Sequence, residues 1–157
     1  MNETGLEGIQ SQLPLGQSSQ QPDHYDSSLL VGVPRTLARG VEGIDASLFQ
    51  GHDLWNCWEV SWLDAHRKPV MRISQLVVPA NSPNLVESKS LKLYLNSFAN
   101  ERIDSESQLI TRICDDLQQI LGVRPEFSLY SLDDPRFEVE APKGVCIDHL
   151  PVDLAVY

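Results

Sequence analysis

The run Val86-Glu-Ser-Lys-Ser-Leu-Lys-Leu-Tyr-Leu-Asn-Ser-Phe98 gathers an acid, hydroxyls and lysines in one short stretch. On a helical wheel Leu91, Tyr94, Leu95 and Phe98 fall at i, i+3, i+4 and i+7 and form one apolar stripe, with Lys89, Lys92 and Asn96 opposite. The spacing predicts an amphipathic helix. Pro83 and Asn84 favour a turn leading into it, so Glu87 and Ser88 stand where a first turn exposes unpaired backbone N–H groups. Taken by themselves, these residues have ordinary roles. Glu87 would stabilise the helix dipole by roughly 0.3 to 1 kcal/mol. Lys89 and Lys92 would form a solvated face, and Tyr94 and Phe98 belong to the core.

Two other groupings could do chemistry. Cys57 has His52 and Asp53 near it in sequence, and Cys146 has Asp148 and His149. Catalytic partners meet through the fold rather than along the chain, and a buried free cysteine packs as an inert small hydrophobe. Neither grouping is assigned a catalytic role. His24, His52, His66 and His149 have no spacing that suits a metal, so no metal ligands are assigned.

The elements that must position the helix start come from a chain of 157 residues, 41% of them hydrophobic, which suits one domain with a core of ordinary size. Twelve basic against 22 acidic side chains give a net charge of -10, which argues against a general role on nucleic acid or anionic membranes. Any basic site must be local. No apolar run approaches the roughly 20 residues of a membrane span, and the first residues lack the pattern of a secretory signal. A soluble, cytoplasmic protein is expected. Cys57, Cys114 and Cys146 are odd in number and widely spaced, which suggests reduced thiols.

Residues 1–22 are rich in Gln, Ser, Gly and Pro and are expected to be a flexible arm. Residues 23–50 read as an extended docking segment, because Gly32 and Pro34 punctuate the apolar text from Tyr25 to Arg39. Asp53 to Leu63 is a first strand with Leu54, Trp58, Val60 and Trp62 on one side. Val70 to Pro79 is its hairpin partner. After the amphipathic helix, Ser105 with Gln108 forms a capping-box pattern that opens a second helix through Leu109, Ile113, Leu117, Ile120 and Leu121, with Gly122 placed to end it. Phe127 and Leu129 mark a third strand, and Gly144 to Leu154 a fourth. The order β-β-α-α-β-β predicts an α+β fold, an antiparallel sheet with two helices packed on one face.

Glu87 through Phe98 resembles the signature of the NADPH-dependent 7-cyano-7-deazaguanine reductases, the nitrile reductases of queuosine biosynthesis, a tRNA modification pathway. The likeness extends to Tyr25 through Arg35, to Asp53-Leu-Trp55, to Glu59-Val-Ser-Trp-Leu63 and to Cys146-Ile-Asp148. It is to the amino-terminal module of the longer, two-module form. The resemblance implies a tunnelling fold for residues 51–157, assembly into oligomers, and a second module that bears the nucleophilic cysteine and its acid partner. No residue of this chain matches that catalytic pair, so the chain alone is expected to be inactive.

The resemblance further implies how the helix start is used. A deazaguanine ring presents a ring N–H and an exocyclic amine side by side, and a carboxylate, being only an acceptor, matches both. Leu85, Val86, Glu87 and Ser88 would therefore hold 7-cyano-7-deazaguanine. Ser88, Lys89 and Lys92 would face NADPH. The other reading is a non-catalytic tunnelling-fold module that binds a purine or pterin, or serves only in assembly.

Overall fold

The computed structural model describes residues 22–41, 50–140 and 143–151. In chain order the elements are β1 (Gly32–Pro34), α1 (Thr36–Val41), β2 (His52–Leu63), β3 (Pro69–Pro79), β4 (Asn84–Val86), α2 (Ser88–Asn96), α3 (Glu106–Leu121) and β5 (Glu126–Tyr130). Single 3-10 turns lie at Ser27–Leu29 and Pro135–Phe137. β2, β3 and β5 make an antiparallel sheet in that order, and β1 pairs with β4 in a second, two-stranded antiparallel ladder. The molecule is α+β.

β2 carries a bulge that the expected alternation did not contain. Cys57 faces Ser74 but Val60 faces Arg72, so Trp58 and Glu59 together oppose Ile73. One extra residue reverses the side on which the following residues fall. Before the bulge Trp55 and Cys57 pack against the core, and after it Val60 and Trp62 do. Leu54 and Trp58, expected on the same face as Val60 and Trp62, are instead 52% and 60% exposed.

Three further expectations are corrected. The segment from residue 23 is not extended throughout, because Thr36–Val41 is a short helix. Residues 42–49 lie outside the described ones, as does the expected arm except for Pro22. β4 and its pairing with β1 were not expected, since three residues show no period. The fourth strand over 144–154 is absent from residues 144–151, which are exposed, with a turn at 148–149; residues 152–154 lie outside the described ones. Val145 and Ile147 have strand propensity, but a strand exists only against a paired neighbour. The order is therefore not β-β-α-α-β-β.

The two long helices cover the inner face of the three-stranded sheet. Trp55, Leu76 and Phe127 lie in one row across it, and with Val60, Trp62 and Val78 they share a buried cluster with Leu91, Tyr94 and Leu95 of α2 and Leu109, Ile113, Leu117 and Leu121 of α3. Both helices begin on side-chain caps. Ser105 accepts the amide of Gln108 (3.2 Å), while the Gln108 side chain accepts the amide of Asp104 (3.1 Å). Gly122 closes α3 at φ 76, and a Cβ there would stand 2.6 Å from Pro83 Cγ, so only glycine suits the position.

Residues 25–35 cross α2 as a strap. The Asp26 amide donates to Ser97 Oγ (3.3 Å), and Arg35 is buried, donating to Ser82 Oγ (3.0 Å) and pairing with Asp53. The hydroxyls of Tyr25 and of fully buried Tyr94 both donate to Asp116 Oδ2, at 2.7 and 2.6 Å. Burial, and then the neighbouring Asp116, push the Tyr94 hydroxyl well above its ordinary 10.0. A group raised in this way stabilises the fold fully below its unfolded value and loses that contribution as pH climbs past it. Thermal melts should thus show stability falling above about pH 10, less steeply in Tyr94→Phe. At neutral pH that variant should be destabilised by about 1 to 2 kcal/mol.

Candidate functional site

The end of β4 delivers the chain to the start of α2 at Glu87, whose extended backbone (φ -73, ψ 132) makes it the N-cap. Its carboxylate takes the amide of Lys89 on Oε1 (2.9 Å) and the amide of Ser90 on Oε2 (2.7 Å). Ser88 Oγ lies 3.4 Å from Oε1, within weak reach. The backbone of Glu87 is held as firmly. Its N–H donates to Val31 O (2.9 Å), and its carbonyl accepts from the Leu91 amide (3.0 Å) and from Ser90 Oγ (2.7 Å). Ser90, fully buried, also accepts the amide of Val31 (3.1 Å), so strap and helix start share one hydroxyl. Glu87 is only 7% exposed.

The other expected ligand contacts divide between two places. Leu85 and Val86 lie in β4, opposite Val33 and Gly32, so their backbones run in the ladder with β1. Ser88 and Lys92, both exposed, line a cleft of about 560 Å³ between β2 and the flank of α2. Glu87 and Lys89 are not among the residues lining it. Lys89 is half-buried at the helix start. The structure therefore brings Ser88 and Lys92 together and turns the Glu87 carboxylate into the helix end.

The far wall of the cleft comes from the bulged part of β2. Trp55, Asn56, Trp58 and Glu59 line it, Glu59 with the cleft's one carboxylate among the described residues, while the Trp58 ring packs edge-on against Phe137 with 5.6 Å between ring centroids. Asn96 of α2 adds another amide. β2 is an edge strand, and among the described residues its outer edge carries only the bridge from Leu63 to Arg102. These wall residues escaped the sequence reading because one uninterrupted period was fitted to Leu54 through Trp62. The usable signal was two alternating apolar pairs out of phase, Trp55 with Cys57 and then Val60 with Trp62.

The cysteine groupings are not assembled for nucleophilic work. Burial pushes the Cys57 thiol up, away from a thiolate at neutral pH, and Asp53 is engaged by Arg35. Cys114 is likewise raised by burial within α3, and Cys146 lies in the exposed segment 143–151. Among the described residues no group of three or more His, Cys, Asp or Glu could hold a metal ion. Nor, among them, is any helix long and apolar enough to cross a membrane.

An antiparallel sheet backed by two helices, with a cleft of mixed polar and apolar lining along its edge strand and a capped carboxylate at a helix start, defines an α+β domain with one elaborated sheet edge. Residues 21–129 match the family described as "Nitrile reductase, 7-cyano-7-deazaguanine-reductase N-term", and the chain belongs to that family. It is 41% identical over 146 residues to a Chromohalobacter salexigens protein named NADPH-dependent 7-cyano-7-deazaguanine reductase, covering 92% of this chain and 53% of that protein. A Burkholderia vietnamiensis protein of the same name gives the same identity and coverage. One from Acinetobacter baumannii strain ATCC 17978 is 39% identical over 136 residues, 87% of this chain and 50% of its own length. The chain thus spans about half the length of the relatives it matches.

The cap itself is testable without any ligand. Glu87→Ala leaves the amides of Lys89 and Ser90 without their acceptor and should cost about 1 kcal/mol. That corresponds to a melting temperature about 2 to 4 °C lower by calorimetry.

Proposed function

We propose that this chain recognises 7-cyano-7-deazaguanine and NADPH as one module of a nitrile reductase that converts the nitrile to an aminomethyl group in queuosine biosynthesis. The observation that carries this reading is membership of the nitrile-reductase family over residues 21–129, a span that includes the whole run from Glu87 to Phe98. Glu87 anchors the base, with Leu85, Val86 and Ser88 around it. Ser88, Lys89 and Lys92 hold the cofactor. The cleft suits a phosphate-bearing aromatic molecule, since it offers a cation at Lys92, a hydroxyl at Ser88 and an indole at Trp55. NADPH supplies the hydrides. The raised thiols of Cys57 and Cys114 favour a nucleophile from elsewhere, and we assign it to a second module.

The sheet with two helices on its inner face supports a tunnelling fold for residues 51–157, docked against by residues 23–50 and preceded by an arm over 1–22. The free edge of β2 suits pairing with the second module or with another copy, giving an oligomer that works in the cytoplasm. A second reading is a non-catalytic module that binds a purine or pterin or serves only in assembly. The assembly form is favoured by one observation, that both oxygens of Glu87 are engaged by its own helix.

Calorimetric titration of the chain with 7-cyano-7-deazaguanine, beside Glu87→Ala, separates these readings. Saturable binding weakened by about 2 to 4 kcal/mol in the variant is expected for a charged, two-point anchor. Heat that is unchanged by the substitution would place recognition elsewhere. No heat from either protein would mean that recognition needs the second module or that the helix start is only structural, and a repeat with that module added decides between the two.

A further inference from the structure

The two walls of the cleft carry opposite charges that do not meet. On the helix wall Lys92 is exposed, with Ser88 one turn earlier, and on the strand wall Glu59 is exposed at the bulge. Among the described residues neither Lys92 nor Glu59 makes an ion pair or a side-chain hydrogen bond. Asn56, another acceptor on the strand wall, is taken by the side-chain amide of Gln75 (3.0 Å). Glu59 is therefore the strong acceptor left open on that side.

The bulge is what puts it there. In an unbroken strand Glu59 would follow Trp55 and Cys57 toward the core, but the extra residue sends Val60 inward instead and leaves Glu59 beside Trp58, both opposite Ile73. The wall is braced from behind. Trp58 packs edge-on against Phe137 (5.6 Å between ring centroids), and Phe137 packs against Tyr130 of β5 (5.5 Å). We infer that Glu59 is a specificity residue of the cleft, accepting the paired hydroxyls of a ribose on the strand wall while Lys92 takes a phosphate on the helix wall. This rests on the reading of the cleft as the cofactor's place. A carboxylate only accepts, and its two oxygens suit two adjacent O–H donors. The same charge repels phosphate. Glu59 thus holds the sugar and also directs the anion to Lys92 and Ser88, so the cleft selects a nucleoside phosphate over a bare polyanion.

The test follows NADPH binding by its fluorescence, with inorganic pyrophosphate as competitor, in the full chain and in Glu59→Gln and Lys92→Gln. Because Glu59 is exposed and unpaired among the described residues, its substitution should leave the melting temperature unchanged. The expected result is opposite in sign for the two ligands. Glu59→Gln should bind NADPH about tenfold more weakly yet bind pyrophosphate more tightly, whereas Lys92→Gln should weaken both. A residue that only shapes the wall would move both ligands in the same direction. With NADPH bound by the wild-type chain, both ligands weakened, both tightened or both unchanged in Glu59→Gln would overturn the role of Glu59 and leave the cleft reading intact. Pyrophosphate that displaces no NADPH would likewise overturn the division of phosphate and sugar between the walls. Absence of NADPH binding by the wild-type chain would overturn the cleft reading and this inference together.

Discussion

The first turn of a helix exposes amides that its own backbone cannot satisfy, and in α2 that need is met by a single carboxylate. Glu87 accepts from Lys89 and Ser90, and its own backbone is gripped by Val31 of the strap and by Ser90 Oγ. Because Ser90 also holds the Val31 amide, the strap, the end of β4 and the start of α2 form one hydrogen-bonded knot. All of it is buried enough that an unmade bond would be costly. The conformation of Glu87 is thus over-determined, which is the condition under which a polar residue can be kept in one position beside a site.

A second constraint acts at the other wall. A continuous strand would have sent Leu54, Trp58, Val60 and Trp62 to one side. The extra residue at Trp58–Glu59 instead lets both halves of β2 send apolar side chains into the core and leaves Trp58 and Glu59 together at the cleft. Since β2 is also an edge, the bulge and the open backbone coincide along one border of the sheet. The open edge strand and the exposed Trp58 thus lie on one border of the sheet.

The overall charge and the local chemistry pull in different directions. At a net charge of -10 the chain repels polyanions at long range, yet Lys92 lines the cleft and Lys89 stands at the helix start. Screening confines such long-range fields to about 8 Å at physiological salt, so Lys89 and Lys92 set the local charge beside the helix start. The family to which the chain belongs is defined over the same span in which these features sit, residues 21–129. The exposed segment 143–151 falls outside it.

How much of this was legible in the sequence depended on the range of the forces involved. The two helices were readable because a 3.6-residue period, the Ser105–Gln108 cap and Gly122 are local, and each of them stands where expected. The hairpin of β2 and β3 was readable for the same reason, and the nitrile-reductase resemblance rested on a contiguous run. The bulge was not legible, because its effect is a change of face that appears only once β3 fixes the register. β4 and β1 were not, because three-residue strands have no period and exist only as each other's partners. The expected strand beyond Gly144 failed in the opposite sense, having propensity without a neighbour over residues 144–151. At the site, sequence alone determined which groups stand near the helix start: an acid, hydroxyls and lysines. Only the tertiary structure decided that the acid closes the helix while Ser88 and Lys92 face a cleft, because side-chain direction is set by which donors and walls the fold brings within hydrogen-bond reach.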